Sequence, residues 1–119
     1  MVLVDTSVWV EHLRRRDSKL AKLLADGEVL CHPFVIGELA CGSLRARREI
    51  LALLAALPSL ETASNDAVLE FIERQRLSGK GLGWVDLHLL AACARARVAL
   101  WTLDKRLGRS AAALGLRHA

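Results

Sequence analysis

Val2-Leu3-Val4-Asp5-Thr6-Ser7 opens the chain, and its reading decides the fold. Three apolar residues run without a polar break and stop at an acid. So short and uniform an apolar run fits a strand buried on both faces, the kind found in parallel sheets. A second run, Val98-Ala99-Leu100-Trp101-Thr102, leads through Leu103 to another acid, Asp104. Glu28 to Cys31 is a weaker third candidate.

Working outward, the segments between these strands read as helices. Thr6 and Ser7 are offered as caps for a helix over Val8 to Arg15. Asp17 or Ser18 caps a short helix carrying Leu20, Leu23 and Leu24, and Gly27 ends it. Pro33 suits the first position of a helix that runs to about Ala40. Gly42 and Ser43 mark a break. Arg45 to Leu57 is a longer helix, stopped by Pro58. Ser64, Asn65 and Asp66 offer a cap for a helix with the stripe Val68, Phe71 and Ile72. Gly79, Gly81 and Gly83 then form a loop around Lys80. Helix returns from about Val85 to Arg97 and again from Lys105 to Leu114. Leu116 and Arg117 suit a short edge strand. Strands alternating with helices predict a three-layer α/β/α sandwich around a small central parallel sheet.

The chain has 119 residues, 53 % of them apolar, which suits one domain with a real core and excludes a disordered chain. Seventeen Lys and Arg against thirteen Asp and Glu leave a net charge of +4. Arginine runs occur at Arg14, Arg15 and Arg16 and at Arg45, Arg47 and Arg48. Arginine suits phosphate contacts, although such a balance is also ordinary for a solvated surface. Cys31, Cys41 and Cys93 form no CxxC pair, which argues against a disulfide scaffold and a structural zinc site. They read as small apolar residues of a reducing compartment. No signal peptide and no membrane-spanning stretch is visible, so the expected location is the cytoplasm.

Four acids carry the chemistry. Asp5 and Asp104 each follow an apolar strand, and in an open parallel sheet ligands gather beyond the carboxyl ends of strands. Both also precede helices, where an Asp serves as a cap. Glu38 is the lone charge in Phe34-Val35-Ile36-Gly37-Glu38-Leu39-Ala40-Cys41. It must reach solvent, pair with a cation or bind a metal, since burial alone is costly. Asp86 lies in the first turn of an apolar helix, a position that favours anions. His88 reads as a surface or packing residue, and His12, His32 and His118 form no motif with it. An all-oxygen set of carboxylates suits a hard ion, Mg²⁺ or Mn²⁺, and several carboxylates held close repel one another without one. Thr6 and Thr102 lie beside Asp5 and Asp104 and can orient a carboxylate or a metal-bound water. Ser7 reads as a simple helix cap.

Four segments in order resemble the PIN domain, and more narrowly the VapC-type toxin ribonucleases. Val2-Leu3-Val4-Asp5-Thr6-Ser7-Val8-Trp9-Val10 resembles the family's opening strand and first metal-binding acid. Val35-Ile36-Gly37-Glu38-Leu39-Ala40-Cys41-Gly42 resembles the helix that supplies its Glu. Gly81-Leu82-Gly83-Trp84-Val85-Asp86-Leu87-His88 resembles the glycine loop and third acid, and Trp101-Thr102-Leu103-Asp104-Lys105 the fourth acidic position. The resemblance covers essentially the whole chain. It implies metal-site roles for Asp5, Glu38, Asp86 and Asp104, with Thr102 in support. It implies endonucleolytic cleavage of RNA, a homodimer, and a small cognate antitoxin that covers the active-site groove. Trp84 departs from the pattern, where a smaller residue is expected; it reads as core, with a residue that shapes the groove or packs against substrate as the alternative. Trp9 reads as core or as a subunit contact.

The basic residues then gain a use. Lys80, Lys105, Arg106 and Arg109 lie near the acids in sequence and are candidates for RNA phosphate contacts. The expected function is a Mg²⁺-dependent endoribonuclease that hydrolyses phosphodiester bonds with metal-activated water. Two alternatives remain: a non-catalytic RNA- or protein-binding module on the same fold, and a Mg²⁺-dependent phosphoacceptor domain using Asp5.

Overall fold

The computed structural model describes residues 1–118. Three parallel strands, β1 (Val2–Val4), β2 (Val29–Leu30) and β3 (Ala99–Trp101), form a sheet in the order β2-β1-β3. Helices α1 (Thr6–Arg14) and α2 (Ser18–Ala25) connect β1 to β2. Helices α3 (Pro33–Cys41), α4 (Arg47–Ala56), α5 (Asn65–Gln75) and α6 (Trp84–Ala96) lie between β2 and β3, and α7 (Lys105–Ala113) follows β3. Two isolated parallel bridges, Cys31 to Ser59 and Leu100 to Arg117, extend the sheet at either edge. The expected edge strand near Leu116 and Arg117 is therefore reduced to one bridge. The layout is an α/β fold with a small parallel sheet flanked by helices, as predicted.

Burial explains the apolar opening. Val2, Leu3 and Val4 are all buried, so β1 is covered on both faces. Around them Leu20, Leu89, Leu90, Leu100 and Leu107 are fully buried. Truncating any one of them to Ala costs roughly 2–5 kcal/mol, because the close-packed neighbours collapse only partly into the space left.

The register sets up the site. Val2 pairs with Ala99, Leu3 with Leu100 and Val4 with Trp101. The ladder runs one step further, with Asp5 N–H donating to the Trp101 carbonyl at 2.9 Å. Asp5 and Thr102 are thus neighbours at the ends of β1 and β3. Because the chain leaves β1 for β2 on one side while β3 lies on the other, a crevice opens beyond the carboxyl end of β1.

Several boundaries differ from expectation, each for a local reason. Helix α1 begins at Thr6, so Thr6 and Ser7 lie inside it rather than capping it. Helix α4 begins at Arg47, because Ala46 takes a left-handed conformation (φ 51°) that breaks the helical run from Arg45. Trp84 starts α6 and is 41 % exposed, so it is not core. Trp9, in contrast, is 5 % exposed and packs in the core. Asp17 caps α2 and Ser64 caps α5, both as expected.

Candidate active site

Asp5 stands at the N-cap position of α1, yet its side chain makes no cap hydrogen bond. The carboxylate is buried, at 6 % exposure, and is held differently. Ser7 Oγ and Thr102 Oγ1 both donate to Asp5 Oδ2, each at 2.7 Å. Each hydroxyl also accepts a backbone N–H, from Leu103 to Ser7 and from Asp104 to Thr102, both at 3.0 Å. Those N–H bonds turn the hydroxyl protons toward the acid. Each hydroxyl has one proton, so the 3.3 Å separation of Ser7 Oγ and Thr102 Oγ1 is packing rather than a further bond. Ser7 is therefore a member of the site that the sequence reading assigned to capping. The signal was present, since residues 5 and 7 lie close in a first helical turn, but only the return of β3 supplies its second partner.

The other acids are each tethered through one oxygen. Glu38, exposed on α3, accepts from Thr6 Oγ1 at 2.7 Å, which ties α3 to the start of α1. Asp86 Oδ2 accepts the N–H of Gly83 at 3.0 Å, closing the glycine loop onto the first turn of α6. Asp104 Oδ1 accepts from Leu107 N–H at 3.0 Å and caps α7. Capping thus holds for Asp104 and for Asp86, which closes a capping box at the start of α6, and fails for Asp5. Among the described residues, the second oxygen of each of these four carboxylates makes no hydrogen bond within the chain. Partial burial raises the Asp86 carboxyl above its ordinary value, and the charges of Asp5 and Asp104 push it the same way. Asp86 therefore lies within range of the charges of Asp5 and Asp104. Among the described residues, no three His, Cys, Asp or Glu side chains already close around one point tightly enough to grip an ion.

The basic candidates divide. Lys80, Arg106 and Arg109 line one open cavity, whose lining does not include Lys105. Arg14 and Arg45 border a different groove of about 690 Å³ beside Glu38, with Val10, Leu13 and Ile50 along it. Arg47 has a structural use: its guanidinium donates to the carbonyls of Ala40 and Gly42 at the end of α3.

Of the two readings offered for His88, surface or packing, the structure shows packing. His88 and His32 are both fully buried. Phe34 packs against both, at 4.6 Å from the His88 ring and 5.2 Å from the His32 ring, and Trp84 covers His88 at 4.8 Å. His32 Nδ1 accepts the Phe34 N–H at 3.0 Å, so the ring caps α3. Burial, with a smaller push from His88, lowers the His32 ring to about 4. The two residues are 56 positions apart, and no linear motif could have joined them.

Comparison with known proteins identifies the family. The sequence matches the PIN domain over residues 2–113. The chain belongs to the PIN domain family. Within that family it is similar to Ribonuclease VapC32 of Mycobacterium tuberculosis, found in two strains. The identity is 50 % over 117 residues, covering 98 % of this chain and 94 % of that protein. This PIN domain therefore falls with the VapC-type members. No helix among its described residues is long and apolar enough to cross a membrane.

Proposed function

We propose that this protein is a divalent-metal-dependent endoribonuclease, the toxin of a toxin–antitoxin pair, with Asp5, Glu38, Asp86 and Asp104 as its metal ligands. One observation carries the reading. Four acids from distant parts of the sequence are each tethered by one oxygen and without a partner at the other among the described residues, and Asp86 lies within the field of Asp5 and Asp104. The similarity to a ribonuclease along nearly the full chain supports the same activity.

The donor set fits a hard ion. All the ligands are carboxylate oxygens, which suit Mg²⁺ with Mn²⁺ as a substitute and disfavour zinc. When bound, such an ion supplies an acidified water and neutralises charge on a phosphodiester. The chain's own residues do the rest. Ser7 and Thr102 fix the Asp5 carboxylate so that one oxygen faces the crevice. Thr6 does the same for Glu38. Gly83 holds Asp86, and with it the glycine loop. Asp104 serves twice, capping α7 with one oxygen and presenting the other. Such preorganisation keeps the acids from reorienting during the reaction.

The reading extends to partners. RNA is the substrate. An antitoxin segment with an acidic and apolar face suits the groove of Val10, Leu13 and Ile50 flanked by Arg14 and Arg45. The active form is a homodimer in which each chain contributes one nuclease domain. Three thiols without a disulfide suit a reducing cytoplasm.

The test is direct. Purified, antitoxin-free protein is incubated with total cellular RNA in Mg²⁺ or Mn²⁺, and new RNA ends are mapped. Discrete cuts are expected, absent with EDTA and absent in Asp5→Asn. Cleavage that persists in EDTA, or no cleavage by folded protein in either metal, would sink the reading.

A further inference from the structure

Arg76, Lys80, Arg106 and Arg109 line one open cavity of about 470 Å³, bounded by the end of α5, the glycine loop and α7. Leu77 and Ser110 form part of its wall, and no carboxylate lines it among the described residues. The salt bridges found among those residues join Met1 to Glu28 and Lys22 to Asp26, and neither involves these cations. Four like charges around one concavity repel, and the field they make is focused on whatever anion enters.

Two details argue that the cations are placed rather than scattered. Arg76 is the C-cap of α5 and takes a left-handed conformation, φ 55°. Gly is the usual residue in such a conformation at a helix end; Arg97 takes it at the end of α6 as well, and what sets Arg76 apart is its place on the cavity wall. The negative end of α5 accounts for one cation there but not for the three from the loop and α7. Arg106 lies directly across Gly81. A Cβ at that glycine would sit 2.7 Å from Arg106 Cδ, and the glycine has φ +77°. The missing side chain is what lets Arg106 rest against the loop.

The cavity is also joined to the acids by two short chain segments. The glycine loop runs from Lys80 to Asp86, and α7 runs from its cap Asp104 directly into Arg106. We propose that this cavity is a subsite for backbone phosphates of the RNA strand next to the bond that is cut, with Arg76 and Arg109 as its outer contacts. The proposal rests on the endoribonuclease reading for its substrate. RNA is favoured over an acidic peptide because Lys80 lies six residues before Asp86 and Arg106 two residues after Asp104, so two of the cavity's cations are tied by short chain segments to two of the acids. The apolar groove beside Glu38 offers a peptide better ground.

The experiment measures binding of a fluorescein-labelled 12-nucleotide oligouridylate in EDTA, from low to high salt. It compares the wild type, Arg76→Gln/Arg109→Gln, Arg76→Lys/Arg109→Lys, and a control on α2, Lys19→Gln/Lys22→Gln. Each phosphate contact to a single strand contributes about 0.7 to the slope of log affinity against log salt, so the Gln double is expected to lower that slope by about 1.4 and to lose about tenfold in low-salt affinity. The Lys double keeps the slope, and the control keeps both. An unchanged slope in the Gln double, or an equal loss in the control, overturns the proposal in favour of diffuse charge. A polyglutamate peptide that binds as tightly as the RNA, with the same dependence on Arg76 and Arg109, overturns it in favour of a protein partner. Cleavage by the wild type in Mg²⁺ is scored separately. Binding that depends on Arg76 and Arg109 without cleavage keeps the subsite and removes the nuclease; cleavage with unmoved binding does the reverse.

Discussion

Two buried polar sites lie in this small domain, and they are built in opposite ways. Asp5 is 6 % exposed and its Oδ2 takes two hydroxyl hydrogen bonds, while its other oxygen faces the crevice. His88 is fully buried, and neither ring nitrogen has a partner among the described residues. The acid is oriented and open; the imidazole is sealed under Phe34 and Trp84. The difference teaches that burial of a titratable group does not by itself mark a working site. What marks it is a carboxylate whose position is over-determined by its neighbours while one oxygen is left for a ligand.

The largest break in that comparison comes from Asp5→Asn. Removing a proposed primary ligand is expected to cut RNA cleavage by more than about 100-fold, beyond the 10 to 100-fold typical of groups that merely orient a ligand. Thermal unfolding should move little, because Asn keeps an oxygen for Ser7 and Thr102 and relieves repulsion among the acids. A protein that loses its fold rather than its cleavage would make Asp5 structural.

Thr102→Val removes one of the two hydroxyls but keeps the shape. Cleavage is expected to fall about 10-fold, with metal affinity falling in parallel, since the free oxygen of Asp5 is then less firmly aimed. Ser7→Ala should behave alike. Isothermal titration with Mn²⁺ alongside cleavage rates checks this, and an unaltered affinity in both variants would show that the hydroxyls do not act on the metal.

His32 sharpens the other side. Its folded ring titrates at about 4, against 6.5 when unfolded. The unfolded chain therefore binds the proton first, and the ring's contribution to stability, complete above pH 6.5, is lost as pH falls from 6.5 toward 4. Protonation also turns Nδ1 into a donor and destroys the cap on α3. Chemical denaturation at a series of pH values should show a loss of about 2 to 3 kcal/mol across that window from this group. His32→Asn, which keeps a capping oxygen without the titration, should flatten it. An unchanged slope would assign the acid sensitivity to His88, which burial also lowers, or to carboxylates.

His88→Leu has the smallest expected effect. It removes two unpartnered nitrogens from an apolar surround, so stability should hold or rise by about 1 kcal/mol. Cleavage should stay within about threefold of wild type, the scatter common for a substitution away from the reacting groups. A larger loss of cleavage would give the sealed site a role in the chemistry after all.

Much of the site was legible before folding. Asp5 and Asp104 announced themselves as acids ending apolar strands, and Glu38 and Asp86 as charges set in apolar helices. What escaped the sequence was what depends on contacts between distant segments. Ser7 read as a cap because the Leu103 N–H that turns its hydroxyl toward Asp5 lies 96 positions away. Trp84 read as core because an indole in an apolar run usually is, whereas the first turn of α6 leaves it at the surface. His32 and His88 meet only because α3 and α6 pack with Phe34 between them.

By itself, then, the sequence determined the order of the elements, the parallel sheet and which acids are candidates for the site. Those follow from apolar periodicity, breaker residues and the cost of a lone charge, all of which are local. The tertiary structure alone decided which oxygen of each acid is tied and which is free. It also decided which histidines are sealed and which arginines share a cavity. The physical reason is register: pairing Val4 with Trp101 puts Thr102 beside Asp5, and a slip of one residue would turn that hydroxyl to the other face.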